Sequence, residues 1–320
     1  MKKKCIVIVG PTGVGKTRLS IFLAKRLNSE IISADSMQIY KYMDIGTAKV
    51  EPKYQKEIKH HLIDIVEPDE NFNVEEFQSL CIEKIEEISS KNKIPIIVGG
   101  TGLYINSITH KLEFNTVKSD EKLRYELENI AELQGNQKLH EMLENIDPES
   151  ASKIHKNNVR RVIRAIEVYK LTGHKFSEIN DKFDHFNDDY DFYIIGLNDD
   201  RHILYERINQ RVDEMIDEGF MAECKYIYEM TDENSQSIQA IGYREAFMYL
   251  NNEISFKDMI SLMKKNSRKY AKRQLTWFRQ DERIHWMNLK DFEKFEDIEK
   301  ICFENVKEWL YDKRKNKRMV

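Results

Sequence analysis

The chain has 320 residues, of which 41% are hydrophobic and 33% charged, which suits one large globular domain or two ordinary ones with a real core. No stretch reaches the roughly 18 uninterrupted apolar residues of a membrane span, and Cys5, Cys81, Cys224 and Cys302 form no C-x-x-C pair, so neither a zinc site nor a disulfide framework is indicated and a reducing cytoplasm fits best. The net charge of -4 argues against a polyanion partner only if charge is spread evenly.

In chain order, "CIVIVG" (5–10), "EIISADS" (30–36), "HHLIDIV" (60–66) and "IPIIVGG" (94–100) read as strands separated by helical patterns, which predicts a parallel α/β sheet. The basic head "MKKK" precedes a short apolar run that ends in a loop motif rather than a cleavage site, so it reads as a first strand and not as a leader. Asn73 and Glu76 stand in capping-box spacing before an apolar stripe of Val74, Phe77, Cys81, Ile85 and Ile88, which predicts an amphipathic crossover helix. From 113 to 189 charged helical segments replace the strand pattern, as in "DEKLRYELENIAEL" and "NNVRRVIRAIEVYKL". Then "DFYIIGLN" (191–198) restores a strand, followed by a helix with Leu204, Ile208, Val212 and Met215 on one face. The expected organisation is a core over 1–112, a helical insertion over 113–189, a return to the core over 190–312, and a basic, frayed tail over 313–320.

Gly10, Gly15, Lys16 and Thr17 match G-x-x-x-x-G-K-[ST] after a strand and before a helix. In that context the loop Gly10, Pro11, Thr12, Gly13, Val14, Gly15, Lys16 and Thr17 presents backbone N–H groups and a helix N-terminus to phosphate oxygens. Lys16 neutralises them and the Thr17 hydroxyl ligates Mg²⁺. The fold class expected is therefore a parallel α/β core like that of P-loop NTPases with a helical insertion; an ordinary glycine-containing βα turn is the plainer alternative.

A phosphate site does not establish phosphoryl transfer. P-loop enzymes pair the loop with an acid from a second strand, yet the strong strand "IPIIVGGTG" ends in the neutral Gly99, Gly100 and Thr101, leaving Asp64 as the other candidate acid. Two glycine-rich strand ends suit a diphosphate that carries a bulkier group. Asp35 follows the second strand at the carboxyl edge of the sheet, where it is either a cap or a general base. Arg211 borders the buried face of its helix and either reaches a pocket or lies solvated on the flank. His60 and His61 point to opposite faces of a strand, which disfavours a shared metal. Two segments carry basic residues and no acid: 264–279 has seven, interleaved with Tyr270, Trp277 and Phe278, and 155–165 has five counting His155. Cations track a phosphate backbone and aromatics stack on unpaired bases, so both suggest RNA; solvated helix faces would explain either alone.

Taken in order, "GPTGVGKT", "ISADSMQIYKYMDIGTAK", "HHLIDI", "VGGTGLY", "NNVRRVIRAIEVY", "QRVDEMIDEGF", "IGYREA" and "AKRQLTWFR" resemble the successive signatures of the tRNA dimethylallyltransferase family, also called tRNA isopentenyltransferase. The resemblance implies transfer of a dimethylallyl group from dimethylallyl diphosphate to the N6 amine of the adenosine 3′-adjacent to the anticodon, with Mg²⁺ present and diphosphate released. Residue by residue it implies catalytic roles for Asp35 as base, Thr101, Arg211 and Lys16. It implies tRNA contacts at Asp35, Ser36, Met37, Gln38, Thr101, Arg124, Arg160, Arg161, Val162, Ile163 and Arg164, and, from the last motif, at Lys272, Arg273, Gln274, Trp277 and Arg279. The insertion would grip the anticodon stem-loop. Gly13 and Val14 stand where many members have Ala-Ser, which keeps the loop small, and no Cys/His set for a zinc finger is present. A cytoplasmic monomer is expected. The competing readings are a P-loop kinase of a small metabolite, an isopentenyltransferase of free adenine nucleotides, and a pure RNA-binding module.

Overall fold

The run Cys5–Val9 is buried on both faces, and the computed structural model, which describes residues 2–112, 120–180, 185–232 and 235–311, places it at the heart of a six-stranded sheet. The strands are β1 (Lys3–Val9), β2 (Ile31–Ser33), β3 (His60–His61), β4 (Ile96–Gly99), β5 (Tyr190–Asn198) and β6 (His285–Asn288), in the order β3-β2-β4-β1-β5-β6, all parallel. Because side chains alternate along a strand, Cys5, Val7 and Val9 enter one buried layer and Ile6 and Ile8 the other. The first layer is closed by the Val74–Ser90 helix through Phe77, Cys81, Ile85 and Ile88, and the second by the Lys16–Leu27 and Phe295–Tyr311 helices. The sheet thus has helices on both faces, the arrangement parallel strands require.

The expected capping box is present: Asn73 Oδ1 accepts from the Glu75 and Glu76 N–H groups, and the Asn73 N–H donates to Glu76 Oε2. One strand expectation is corrected and one strand is added. "HHLIDIV" joins the sheet only at His60–His61, because Leu62 and Asp64 adopt left-handed φ of 60° and 57° and turn the chain out of the ladder; Val66 then makes an isolated parallel bridge to Tyr40. Strand β6 escaped sequence reading because "HWMN" lacks a β-branched run, as an edge strand with only partly buried side chains can.

The chain divides into two compact units, Met1–Thr109 with Asp188–Val320, and His110–Asn187. The tail 313–320 and the segment 113–119 lie outside the described residues. The smaller unit is helical. Leu123, Leu127, Leu139, Leu143, Val162 and Ile166 form its core. Within that unit the fully buried Glu167 accepts from Arg124 Nε (2.8 Å) and Nη2 (3.0 Å), Arg164 Nη1 (2.6 Å) and the Asp120 N–H (3.0 Å). Burial pushes this carboxyl up, but the bonds from Arg124 and Arg164 outweigh it and hold it below its ordinary value. Arg124 and Arg164 are 40% and 34% exposed and re-solvate when the carboxylate is removed, so the cost falls short of that of a fully buried pair. We therefore expect Glu167→Ala to lower stability by about 1 to 2 kcal/mol in thermal or urea melts. In the wild type this contribution is complete above the ordinary glutamate range and is lost as pH falls below it. A melting curve unmoved by the substitution would remove Glu167 from the fold's determinants.

Candidate active site

Local backbone rules build the first part of the site. Gly10, Gly13 and Gly15 all take positive φ, and Gly15, at φ 99°, is the N-cap of the Lys16–Leu27 helix. A Cβ on Gly15 would also stand 2.6 Å from Phe295 Cε2, so glycine is required twice over. Lys16 Nζ donates to the carbonyls of Gly10 and Pro11, both at 2.9 Å, which folds the ammonium over the loop. Burial pushes the Lys16 ammonium down to about 8, with Asp35 opposing the shift and Arg211 adding to it.

The loop after β2 supplies the second part. Asp35 Oδ1 accepts from the Met37 N–H at 3.0 Å, the turn-capping role, while the residue as a whole is half-buried. The Ser36 N–H donates to Thr101 Oγ1 at 3.0 Å, and Gln38 Nε2 donates to the Thr47 carbonyl at 3.2 Å. Arg211, from the Arg201–Asp217 helix, turns inward rather than out; burial lowers its pKa and Asp35 opposes that.

Two cavities meet here. One of about 380 Å³ is lined by the loop residues Thr12–Thr17 with Asp35, Gln38, Arg211, Tyr270 and Gln274. The other, about 290 Å³, has an apolar wall of Met37, Ile208, Val212, Met215, Ala240 and Met263. Thr12, Asp35, Thr47, Ala48, Arg211 and Tyr270 line both, so Asp35 and Arg211 stand where the phosphate loop gives way to the apolar chamber. An amphipathic ligand with an anionic head and a hydrocarbon tail matches this division.

The Phe256–Phe278 helix carries two stripes. Tyr270, Arg273, Gln274 and Trp277, at i, i+3, i+4 and i+7, face the site: Tyr270 and Arg273 line the apolar chamber and Trp277 packs over Gly102. Burial, reinforced by Asp35, pushes the Tyr270 phenol up to about 12. Lys272, Leu275, Thr276 and Arg279 instead line a separate groove with Arg201 and Lys290.

Several sequence expectations are corrected by this geometry. Gln274 is not a surface contact for RNA: it is 5% exposed, accepts from the Thr12 N–H at 2.9 Å and donates to the Gly100 carbonyl at 2.9 Å, tying the phosphate loop to the end of β4. Gly100 is small for that reason, since a Cβ there would stand 2.1 Å from Gln274 Nε2. The side chains of Val162 and Ile163 are 0% and 4% exposed and belong to the core of the smaller unit, which removes them as side-chain contacts. Asp64 pairs with Lys49 and does not line the loop cavity. Thr101 reaches Ser36 and Tyr270 and lines neither cavity. Arg124 and Arg164 are held by Glu167, while Arg160, Arg161, Lys272, Arg273, Trp277 and Arg279 are exposed. Sequence reading did not place Tyr270 in the site, although its spacing from Arg273, Gln274 and Trp277 carried that signal.

Fold and site together define an α/β protein of the P-loop type whose phosphate loop opens into an apolar chamber. The family described as IPP transferase matches residues 38–281. The chain is 90% identical to a tRNA dimethylallyltransferase of Finegoldia magna, over 98% of this chain and all of that one. It is 52% identical to a protein of the same name from Geobacillus thermodenitrificans, over 92% and 93% of the two chains. Among solved structures, the tRNA isopentenylpyrophosphate transferase of Bacillus halodurans superposes with a TM-score of 0.74 at 44% identity, covering 98% of this chain and 99% of that one. A eukaryotic dimethylallyltransferase acting on tRNA gives 0.75 at 34% identity, covering 89% and 74%. The chain belongs to the IPP transferase family. Among the described residues no helix is long and apolar enough to cross a membrane.

Proposed function

We propose that this chain is a tRNA dimethylallyltransferase, which moves a dimethylallyl group from dimethylallyl diphosphate to the N6 amine of the adenosine 3′-adjacent to the anticodon. The observation that carries the reading is the junction of the two cavities. Asp35 and Arg211 line both cavities, which supports a substrate with its diphosphate on the loop, its five-carbon group in the apolar chamber and the bond to be broken between them. In the reaction the allylic C1–O bond breaks with its electron pair passing to the diphosphate. The N6 lone pair forms the new C–N bond, and the N6 proton passes to Asp35. Met37 already occupies Asp35 Oδ1, which leaves Oδ2 to receive it. Charge grows on the leaving diphosphate, where Lys16, Arg211 and the loop N–H groups stabilise it. The adenosine is extruded from the anticodon loop, at roughly a few kcal/mol, to reach the chamber.

Among the described residues no cluster of three or more His, Cys, Asp or Glu forms a cage for a metal. A hard cation held mainly by phosphate and water oxygens fits such a site, with the exposed Thr17 as the protein ligand. Mg²⁺ bound there would supply Lewis-acid neutralisation of the leaving group. A single chain carries every group named, which supports a monomer, and a tRNA substrate supports a cytoplasmic enzyme.

The test is transfer of radiolabelled dimethylallyl diphosphate into unmodified tRNA, with AMP and ATP as parallel acceptors. Label in tRNA alone is expected. Label in the free nucleotides would make the enzyme an adenylate isopentenyltransferase, and phosphorylation of a small metabolite at the cost of ATP would make it a kinase. A chain that binds tRNA and transfers nothing would be a binding module.

Two further outcomes are expected. Because burial holds the Lys16 ammonium down to about 8, kcat/KM for dimethylallyl diphosphate should fall as pH rises through that value and the ammonium is lost. Lys16→Met should abolish that limb; a limb that survives assigns it to another group. Replacing the exposed Arg160 and Arg161 together by Gln should weaken tRNA binding and reduce the slope of log K against log salt by about 1 to 2. An unchanged slope takes both off the interface.

A further inference from the structure

Three sequence motifs have no part in the chemistry so far: "DIGTAK" (44–49), "DEGF" (217–220) and "IGYREA" (241–246). In the structure they converge on one carboxylate. Glu223 accepts three consecutive backbone N–H groups, Asp44 and Ile45 on Oε2 at 2.8 Å each and Gly46 on Oε1 at 2.9 Å. Its Oε1 also accepts the Tyr243 hydroxyl at 2.5 Å. Gly46 is pressed between rings, since a Cβ there would stand 2.5 Å from both Phe220 Cε2 and Tyr243 Cε2.

The segment so held is a wall of the site. Gly46, Thr47 and Ala48 line the apolar chamber, and Thr47 and Ala48 also line the loop cavity. Its far side is tied by Gln38 to the turn that carries Asp35. Glu223 stands on the Phe220–Met230 helix, which follows the Arg211 helix through Gly219 at φ 102°. One carboxylate therefore sets the distance between the wall and the helix that delivers Arg211. All four partners are donors, so the position calls for acceptors alone. A carboxylate has two acceptor oxygens and no donor, whereas an amide would turn an NH2 group toward N–H donors.

We propose that Glu223 is a positioning residue for the transfer reaction, fixing segment 44–48 as the wall against which the dimethylallyl group packs. It touches neither substrate nor the reacting atoms. The proposal rests on the functional reading above. Displacements of about 1 Å in a positioning wall cost as much as 100-fold in rate, and loosening one side of the chamber should act first on the diphosphate substrate.

The test compares the full-length wild type with Glu223→Gln in steady-state transfer, in binding of a tRNA anticodon stem-loop, and in amide hydrogen exchange of residues 44–46. The expected result is a KM for dimethylallyl diphosphate raised about tenfold, a stem-loop Kd within about twofold, and exchange at 44–46 accelerated at least tenfold. Ile85→Ala, in the core away from both cavities, serves as a comparably destabilised control whose KM should stay at the wild-type value. An unchanged KM in Glu223→Gln overturns the proposal, as does an equal rise in Ile85→Ala, which would make the effect one of stability. If Glu223→Gln does not fold, Tyr243→Phe removes one of the four donors and should raise KM about threefold; no rise overturns the proposal. Wild-type protein that transfers nothing to tRNA sinks the functional reading alone, whereas exchange at 44–46 that ignores the substitution sinks the positioning role alone.

Discussion

Asp35→Asn is expected to lower kcat for transfer by about 10³-fold, the middle of the range for loss of a general base, while affinity for unmodified tRNA should change by less than about threefold. The substitution suits the geometry. Asparagine Oδ1 can still accept the Met37 N–H, so the turn at the end of β2 keeps its capping bond, and the loss falls on proton transfer and on the negative charge that supports the Lys16 and Arg211 cations. The exocyclic amine is a weak nucleophile because its lone pair is delocalised into the purine, so removing its proton acceptor affects bond formation more than binding. Single-turnover transfer with saturating dimethylallyl diphosphate, set beside filter binding of tRNA, separates the two. A loss of affinity as large as the loss of rate would assign Asp35 to RNA binding, and an undiminished rate would assign the proton to another acceptor.

Lys16→Ala should be nearly as severe, with kcat/KM for dimethylallyl diphosphate falling by about 10² to 10³-fold. Lys16 is recessed in the loop, its ammonium is destabilised by burial, and Arg211 adds a second cation nearby. A diphosphate head bound there would relieve both costs, so this lysine should contribute more to the bound state and the departing diphosphate than a surface lysine would. The alanine variant also leaves the Gly10 and Pro11 carbonyls without their donor, so the loop itself loosens. Lys16→Arg separates these effects: it retains charge on a bulkier head, and recovery of a tenth or more of the activity would show that charge matters more than fit. Undiminished kcat/KM in Lys16→Ala would remove the loop from substrate binding.

Some of this protein was legible without coordinates. The phosphate loop, the burial of β1, the capping box at Asn73 and the crossover helix depend on residues within a few positions of one another, where φ limits, hydrogen-bond spacing and side-chain periodicity are local rules. The basic segment 264–279 shows where such rules stop. Composition marks the whole stretch as a surface for anions, yet helix phase sends Tyr270 and Gln274 toward the site and Lys272 and Arg279 to another groove. The pattern in "NNVRRVIRAIEVY" likewise holds exposed arginines and core residues in one motif, and only packing separates Val162 and Ile163 from Arg160 and Arg161.

The sequence by itself determined the parallel α/β class and the phosphate-loop motif, and it put Lys16, Asp35 and Arg211 forward as candidates, with the roles of Asp35 and Arg211 left between two readings. Tertiary structure alone decided what holds them. Gln274 meets Thr12 across 262 positions, Glu223 meets Gly46 across 177, and Arg124 meets Glu167 across 43. Each is a polar group that is costly to bury without a partner, and which distant partner satisfies it is chosen only when the apolar layers close around the sheet.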